Sequence, residues 1–558
     1  MDFRALAAAC HHDAVYRQSI TASSLWVQAA EAVNGYRKQL QTDIVAAGRD
    51  ENSGIEGRDV AMTHANDDDD GGDGDDDGLS YTFRVPCHDP TAAGAAAVAE
   101  DALQKAVVIL KVQADDVDRV ASQLDSMTAV FRFLRNACAA CRDNQSACHD
   151  AGLIRLARDV VLQCCCWIDV EDEKCKDCAV LLFQVTLQFC VNSVTGSRRN
   201  QAEAWELFFP HVFQKVLVEC HEHRKVVAFA VALILNCVNS DCTTAPEVEE
   251  VAARRVDLVC ARNVLTTIVH RCIVKPAESD ALLSSGRHMD DQDPAFEWIC
   301  MLFGVLFHDG RVKDLYNAVG PHMLSKLWSR VTPEQLILLQ MFAMWAAQKS
   351  KPIAAETMHE HDEKRAHRLP ADTFEFVGST WMGVIDTTND DWPDEADETR
   401  TQVWAELENQ AKSLLLDVLG ELTINQAALD AASSQKLLMS LLQELQRVWE
   451  LGRQNPPSRS DPAAGSTPQA RTQGEPLGYR SSLIRLIGNL CFRHTVHQDL
   501  VRENGYLPLF LSHCNVDEAN PMIREWSLVA LRNLCEGNEA NQAYINALRP
   551  QKMDTKAG

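Results

Sequence analysis

The feature that most constrains this chain is a pattern that recurs at the ends of its apolar helical runs. Phe131-Arg-Phe-Leu-Arg-Asn136-Ala-Cys138, Leu483-Ile-Arg-Leu-Ile-Gly-Asn489-Leu-Cys491 and Leu528-Val-Ala-Leu-Arg-Asn533-Leu-Cys535 each reach an asparagine with cysteine two residues later. A glutamine follows nine residues after each asparagine, at Gln145, Gln498 and Gln542, and Asn192 with Gln201 forms a fourth pair. Gly152 and Gly505 stand seven residues beyond two of those glutamines. Asn192 to Asn236 and Asn489 to Asn533 are both steps of 44 residues. Self-similarity at that period marks helical repeats. One such unit cannot bury its own apolar face, so stability requires stacking against neighbours into one continuous core. Alternating strand patterns are almost absent, with Tyr81–Val85 the only weak candidate.

The repeats set the organisation. Residues 1–42 form an N-terminal helical segment, with Leu25, Trp26, Ala29, Val33, Tyr36 and Leu40 near helical spacing. Residues 43–98 fill with Asp and Gly, too polar to offset ordering entropy, and are expected to be a disordered acidic insert. Repeats then occupy 99–348, an acidic loop 349–398, and further helical repeats 399–452. The Pro-, Ser- and Gly-rich stretch 453–478 reads as a flexible linker before a compact final unit at 479–548. Thr332-Pro333-Glu334-Gln335 is a capping box, and Asn520-Pro521 is expected to open the helix that carries Trp526 in the core. Gly420 stands where it would cap the helix beginning near Val403.

The phrase Leu-Arg-Asn-Leu, a short polar turn, Asn-Gln and then Gly with apolar residues resembles the junction between the third and first helices of armadillo repeats. The fold class is therefore expected to be all-α, an armadillo/HEAT-like helical-repeat solenoid. From Tyr479-Arg-Ser-Ser-Leu-Ile-Arg-Leu-Ile-Gly-Asn-Leu-Cys491 through His497-Gln498-Asp499, Pro508-Leu509 and Asn520-Pro521 to Asn541-Gln542, the order and spacing resemble the C-terminal domain of the ataxin-10 family. Phe131–Ile154 is similar to that family's N-terminal armadillo region, more loosely. The resemblance implies a mainly cytoplasmic protein linked to cytokinesis and cell survival through protein partners, and neither enzymatic activity nor a cofactor is expected. Those partners would bind on the concave repeat surface or on the C-terminal domain. It leaves homo-oligomerisation open.

Charge and cysteine usage narrow the alternatives. With 53 basic and 79 acidic residues the net charge is −26, and without the eight aspartates of the tract 67–77 it is still −18. Affinity for nucleic acid comes chiefly from Lys and Arg neutralising phosphates, so nucleic-acid binding is not expected. The longest apolar run, Val226–Val238, is too short to span a bilayer, and no membrane insertion is expected. The 20 cysteines sit in apolar helical contexts, as small hydrophobes in a reducing compartment.

Candidate sites follow from the same pattern. The repeat asparagines Asn136, Asn192, Asn236, Asn489 and Asn533 either satisfy backbone at helix ends or contact a partner in the groove, where Arg132 and Arg485 would favour acidic ligands. Peptide-binding armadillo adaptors place Trp four residues before such an Asn. Here those positions hold Arg132, Gln188, Ala232, Arg485 and Val529, which disfavours an import adaptor. Phosphate loops, nucleophile elbows and HExxH are absent, so no catalytic residue is assigned. The alternative function is a zinc- or redox-responsive protein using Cys138, Cys141, Cys175 and Cys178, two CxxC pairs that could form one tetrahedral site. Asp73-x-Asp75-x-Asp77-Gly78 begins like a calcium loop but meets Arg84 where a bidentate Glu is required.

Overall fold

A computed structural model describes residues 3–12, 25–50, 117–168, 170–239, 245–274, 293–320, 330–349, 371–386, 398–423, 431–454 and 475–548. The strand candidate at 81–85, the acidic tract, the calcium-like loop and most of the stretches assigned to insert and linker lie outside the described residues. Among the described residues there is no strand, and the fold is an all-α stack of helical repeats. The chain forms two compact units, residues 1–212 and 213–558.

In the first unit α1 (Phe3–His12) lies against α3 (Val117–Cys138), and α2 (Leu25–Asp50) covers α3 from another side. The short α4 (Arg142–Asp150), then α5 (Leu153–Trp167), lead to α6 (Glu173–Val194), which packs along α3. α7 (Arg198–Phe208) closes on α5 and α6. The predicted glycine explains itself here: Gly152, at φ +66°, is the left-handed link between α4 and α5, a conformation that costs a side-chain-bearing residue energy. Asp172 starts α6 by accepting the Cys175 N–H at 2.8 Å. α6 is 22 residues long and by length and composition alone apolar enough to cross a bilayer, a stretch distinct from the apolar run Val226–Val238. More than half of its apolar stretch is buried among the other helices, as in the core of a repeat stack. α2 also runs to Asp50, eight residues into the segment expected to be disordered.

α8 (His211–Glu219) spans the boundary between the units. In the second unit α9 (Arg224–Val238), followed by α10 (Ala245–Cys260) and α11 (Arg262–Val269), packs on α12 (Pro294–His308). Asp293 caps α12 through the Ala295 N–H at 2.9 Å and pairs with Arg224 of α9. α13 (Val312–Ala318) precedes α14 (Pro333–Lys349), whose capping box is reciprocal. The Gln335 N–H donates to Thr332 Oγ1 at 3.1 Å, and the Thr332 N–H to Gln335 Oε1 at 3.0 Å. The stretch 349–398 is not simply a loop, because α15 (Ala371–Ile385) forms within it. Phe374, Val377, Trp381 and Val384 recur on one face and are buried, while the polar flanks obscure that period in the sequence. α15 packs on α16 (Glu398–Leu422) and α17 (Ala431–Gln454).

The final repeats are α18 (Tyr479–Cys491), α19 (Thr495–Glu503), α20 (Leu507–Ser512), α21 (Ile523–Cys535) and α22 (Glu539–Ala547). α18 sits on α16 and α17, and α21 on α18. Gly505 (φ +75°) repeats the role of Gly152, linking α19 to α20. Two expectations are corrected. Gly420 lies inside α16 rather than at its cap, and a Cβ there would meet the Arg485 guanidinium at 2.5 Å. Asn520 does not open α21, which starts after Met522 in the left-handed region. Its Oδ1 accepts the Arg480 N–H at 2.9 Å instead, satisfying the first turn of α18.

Candidate functional site

The repeat asparagines and glutamines form one kind of junction, met at both ends of the chain. Each asparagine lies at the end of its helix, and at three of them the amide donates to a backbone carbonyl of the preceding repeat. Asn136 bonds Ala7 O at 2.8 Å, Asn192 bonds Arg135 O at 2.9 Å, and Asn533 bonds Gly488 O at 3.0 Å. Arg135 and Gly488 each stand one residue before their own repeat's asparagine, so the last two bonds are the same bond in two places. Asn489 departs from the rule by donating to Thr423 Oγ1 at 3.1 Å. Asn236, half-buried near the end of α9, is also engaged by its surroundings.

The glutamines stitch in the opposite direction. Gln145 Nε2 is shared between its own repeat's Cys138 O (3.2 Å) and the next repeat's Asn192 O (2.9 Å) and Thr195 O (3.0 Å). Gln498 Nε2 reaches the equivalent carbonyls of Cys491 (3.1 Å), Asn533 (2.8 Å) and Glu536 (3.2 Å). All are carbonyls at helix ends, where the regular helical bonds run out, although Cys138 O and Cys491 O also accept the Cys141 and His494 N–H groups. The residue before each glutamine belongs to the same network, which the sequence reading had not assigned. Asn144, Asn200 and Asn541 donate to Ala137, Ser193 and Leu534 at 2.7–2.9 Å, and His497 Nδ1 donates to Leu490 O at 2.7 Å. The recurring Asn-Gln dipeptide was the available signal.

Four residues before each asparagine the third helices show a different character. Arg132 and Val529 are exposed, Arg485 and Gln188 are half-buried, and Ala232 is buried. Arg135, beside Arg132, donates to Gln188 Oε1 at 2.6 Å, and burial together with the nearby Arg132 charge lowers its pKa. Arg485 bonds Asp417 Oδ1 at 3.4 Å and places its guanidinium 5.9 Å from the Trp526 ring centroid. Trp526 is half-buried, at the surface of α21 rather than in its core, because its ring is the platform for that arginine.

The four cysteines of the zinc alternative are not drawn together. Cys138 lies against Cys148, which is also near Cys190, whereas Cys175 faces Val117 O at 3.7 Å. No group of three or more His, Cys, Asp or Glu is placed to hold a metal among the described residues. Burial pushes the Cys175 thiol up to about 12, so the thiolate that zinc or redox chemistry needs is disfavoured. The reason is register: Cys138 and Cys491 hold the same repeat position, and both are fully buried.

Comparison with known proteins agrees with the repeat reading. Residues 479–557 match the spinocerebellar ataxia type 10 protein domain. Ataxin-10 of Xenopus tropicalis is 27% identical over 424 residues, 76% of this chain and 75% of that protein. Ataxin-10 of Homo sapiens is 26% identical over 437 residues, 78% and 79% of the two chains. The ataxin-10 homolog of Dictyostelium discoideum is 43% identical over 77 residues, 14% and 13%. An engineered protein of known structure aligns over 78% of this chain and 94% of its own at 10% identity, with a TM-score of 0.25. The C-terminal domain thus matches that of the ataxin-10 family, and similarity to ataxin-10 proteins runs over about three quarters of this chain.

Proposed function

We propose that the chain is a non-enzymatic cytoplasmic scaffold that binds protein partners on its repeats, with roles of the ataxin-10 kind in cytokinesis and cell survival. One observation carries this reading: a division of labour along the third helices. The asparagine amides of Asn136, Asn192 and Asn533 are occupied by backbone carbonyls of the preceding repeat. The positions four residues earlier, Arg132 and Val529, stand exposed. Partner contact therefore falls to Arg132, Arg485 and Val529, and the asparagines hold the surface in register. The Arg132–Arg135 pair favours a partner with acidic side chains at that point.

The test is affinity capture from dividing-cell cytosol with three baits: the full chain, the chain ending at Gly478, and full-length Arg132→Glu with Val529→Glu. Specific proteins held by the full chain and lost from either altered bait are the expected outcome. Identical recovery on all three would overturn the assignment of recognition to these positions. Recovery of nothing above background would overturn the scaffold itself.

A further inference from the structure

Where α3 meets α6, two guanidinium groups stand together with no carboxylate to offset them. Half-buried arginines elsewhere sit on carboxylates, as Arg37 does on Asp159 and Arg255 on Asp309, both at 3.2 Å. Arg135, also half-buried, instead donates from Nε to Asn136 Oδ1 at 2.9 Å and from Nη1 to Gln188 Oε1 at 2.6 Å, both neutral acceptors. Its backbone is held as well, because Asn192 Nδ2 bonds its carbonyl at 2.9 Å. One helical turn earlier stands Arg132, exposed and without an ion-pair partner among the described residues. Burial, and then the Arg132 charge, lower the pKa of Arg135, as expected where like charges meet with no anion between them.

The unused donors converge on this point. A guanidinium carries five N–H groups; Arg135 commits one on Nε and one on Nη1, and the others remain in an orientation fixed by those two bonds. Arg132 keeps its whole fork at the surface, and Gln188, by turning Oε1 to Arg135, leaves its Nε2 as a further donor. The repeat asparagines take no part. Asn136 and Asn192 commit their amides to Ala7 O and Arg135 O, so a ligand's backbone finds no ladder of amides here. Recognition at this point therefore falls to an anionic side group. A carboxylate brings one charge and two oxygens. A phosphoryl group brings a charge of about −1.5 to −2 and three acceptor oxygens, enough to engage both forks and relieve their repulsion.

We propose that Arg132, Arg135 and Gln188 form a binding site for a phosphorylated serine or threonine on a protein partner. This inference deepens the scaffold reading and rests on it. The C-terminal repeats supply the contrast. Arg485 holds the place of Arg132 there, but it is already on Asp417 at 3.4 Å, and Gly488 stands where Arg135 would. A duplex phosphate backbone is a different ligand, because it needs a row of cations along its length. Two guanidiniums in a chain of net charge −26 do not supply one.

The probe is an oriented peptide library with one fixed phosphoserine, offered to the immobilised full-length chain beside the same library with serine or glutamate at that position. Retention of the phosphoserine library at least tenfold above the serine library is expected. The most retained peptide, fluorescently labelled, should then bind the full-length chain saturably in anisotropy. Arg132→Gln and Arg135→Gln should each weaken that binding at least tenfold. Arg135→Lys, which keeps the charge and loses the fork, should fall between wild type and Arg135→Gln. Unchanged melting verifies the fold of each variant, and the exposed Arg132 carries the test if the Arg135 variants melt early. Arg155→Gln removes an exposed arginine from α5 of the same unit and should change affinity less than twofold. Equal retention of the serine and phosphoserine libraries, or binding indifferent to Arg132→Gln, overturns the proposal. Equal retention of the glutamate library makes the ligand an acidic side chain and overturns the phosphoryl assignment. Inositol hexakisphosphate that binds more tightly than the peptide, with the same sensitivity to Arg132→Gln, makes this a site for a free phosphate compound and overturns the protein partner. If the libraries are not distinguished while affinity capture still returns specific proteins, the scaffold reading stands and only this site is lost.

Discussion

Gln498 shows how much of a repeat protein's cohesion one side chain can carry. Its amide serves Cys491, Asn533 and Glu536 carbonyls, and it is fully buried, so no water replaces it. Asn533 serves one such carbonyl, Gly488 O at 3.0 Å. A buried acceptor left without its donor costs its desolvation, whereas the bond itself is worth only ~1 kcal/mol net. Gln498→Ala is therefore expected to destabilise by about 2–3 kcal/mol and Asn533→Ala by about 1–2 kcal/mol. Urea denaturation of the full chain checks the order. Equal costs would mean that the three-way sharing at Gln498 is not a cohesive contact.

At the scale of elements, α17 shows how the C-terminal repeats are seated on the stack before them. Near one end of α17, Ser434 Oγ lies 3.2 Å from His497 Nε2. Near the other, the Trp449 ring packs on His513 at 4.7 Å between centroids. Both histidines donate from Nδ1 to a backbone carbonyl, Leu490 O and Leu509 O, so Nε2 carries the lone pair. Burial lowers both pKa values. The neighbouring His494 adds to this at His497, and Arg480 at His513, while Asp517 opposes it there. A base whose folded pKa lies below its unfolded value binds fewer protons when folded. Its stabilising contribution is present above about pH 6.5 and is lost as pH falls through the folded value. Thermal stability should accordingly fall on acidification below about pH 6.5, and His513→Phe should flatten that dependence. An unchanged slope in the variant would remove His513 from the account. Tyr479 adds a pH-insensitive tie at neutral pH, donating its hydroxyl to the buried Glu444 at 3.2 Å.

For the molecule as a whole, sign and distribution of charge decide which partners approach. A net charge of −26 repels polyanions at long range, and many of the basic side chains are already paired locally, as Arg480 is with Glu475 and Asp517. Titration with duplex DNA should show no saturable binding at ~0.1 M salt, where a phosphate-binding surface would still register. Saturable, salt-sensitive binding would locate a basic surface that the net charge conceals. The exposed positions Arg132 and Val529 are local exceptions to this field, which is why the proposed partner contact is placed there.

Much of this protein is determined by its sequence alone because repeats state each rule more than once. Three copies of Asn with Cys two residues on, and Gln nine residues on, suffice to predict an all-α stack, since local spacing sets helix ends and stacking is the only way to bury such faces. The C-terminal resemblance was equally legible, as a series of residues in fixed order. What the asparagines do was not legible, because the spacing that puts them at a helix end is the same whether the amide turns to a carbonyl of the preceding repeat or to a ligand. α15 was hidden for a related reason: polar flanks dilute a period that only burial against α16 and α17 makes decisive. The separation of Cys138 from Cys175 likewise belongs to the third dimension, where α3 and α6 pack along their lengths and turn the two thiols to different neighbours. Local pattern depends on neighbours in sequence and can be read from them, whereas the choice between two partners for one side chain is made by packing between segments far apart in the chain.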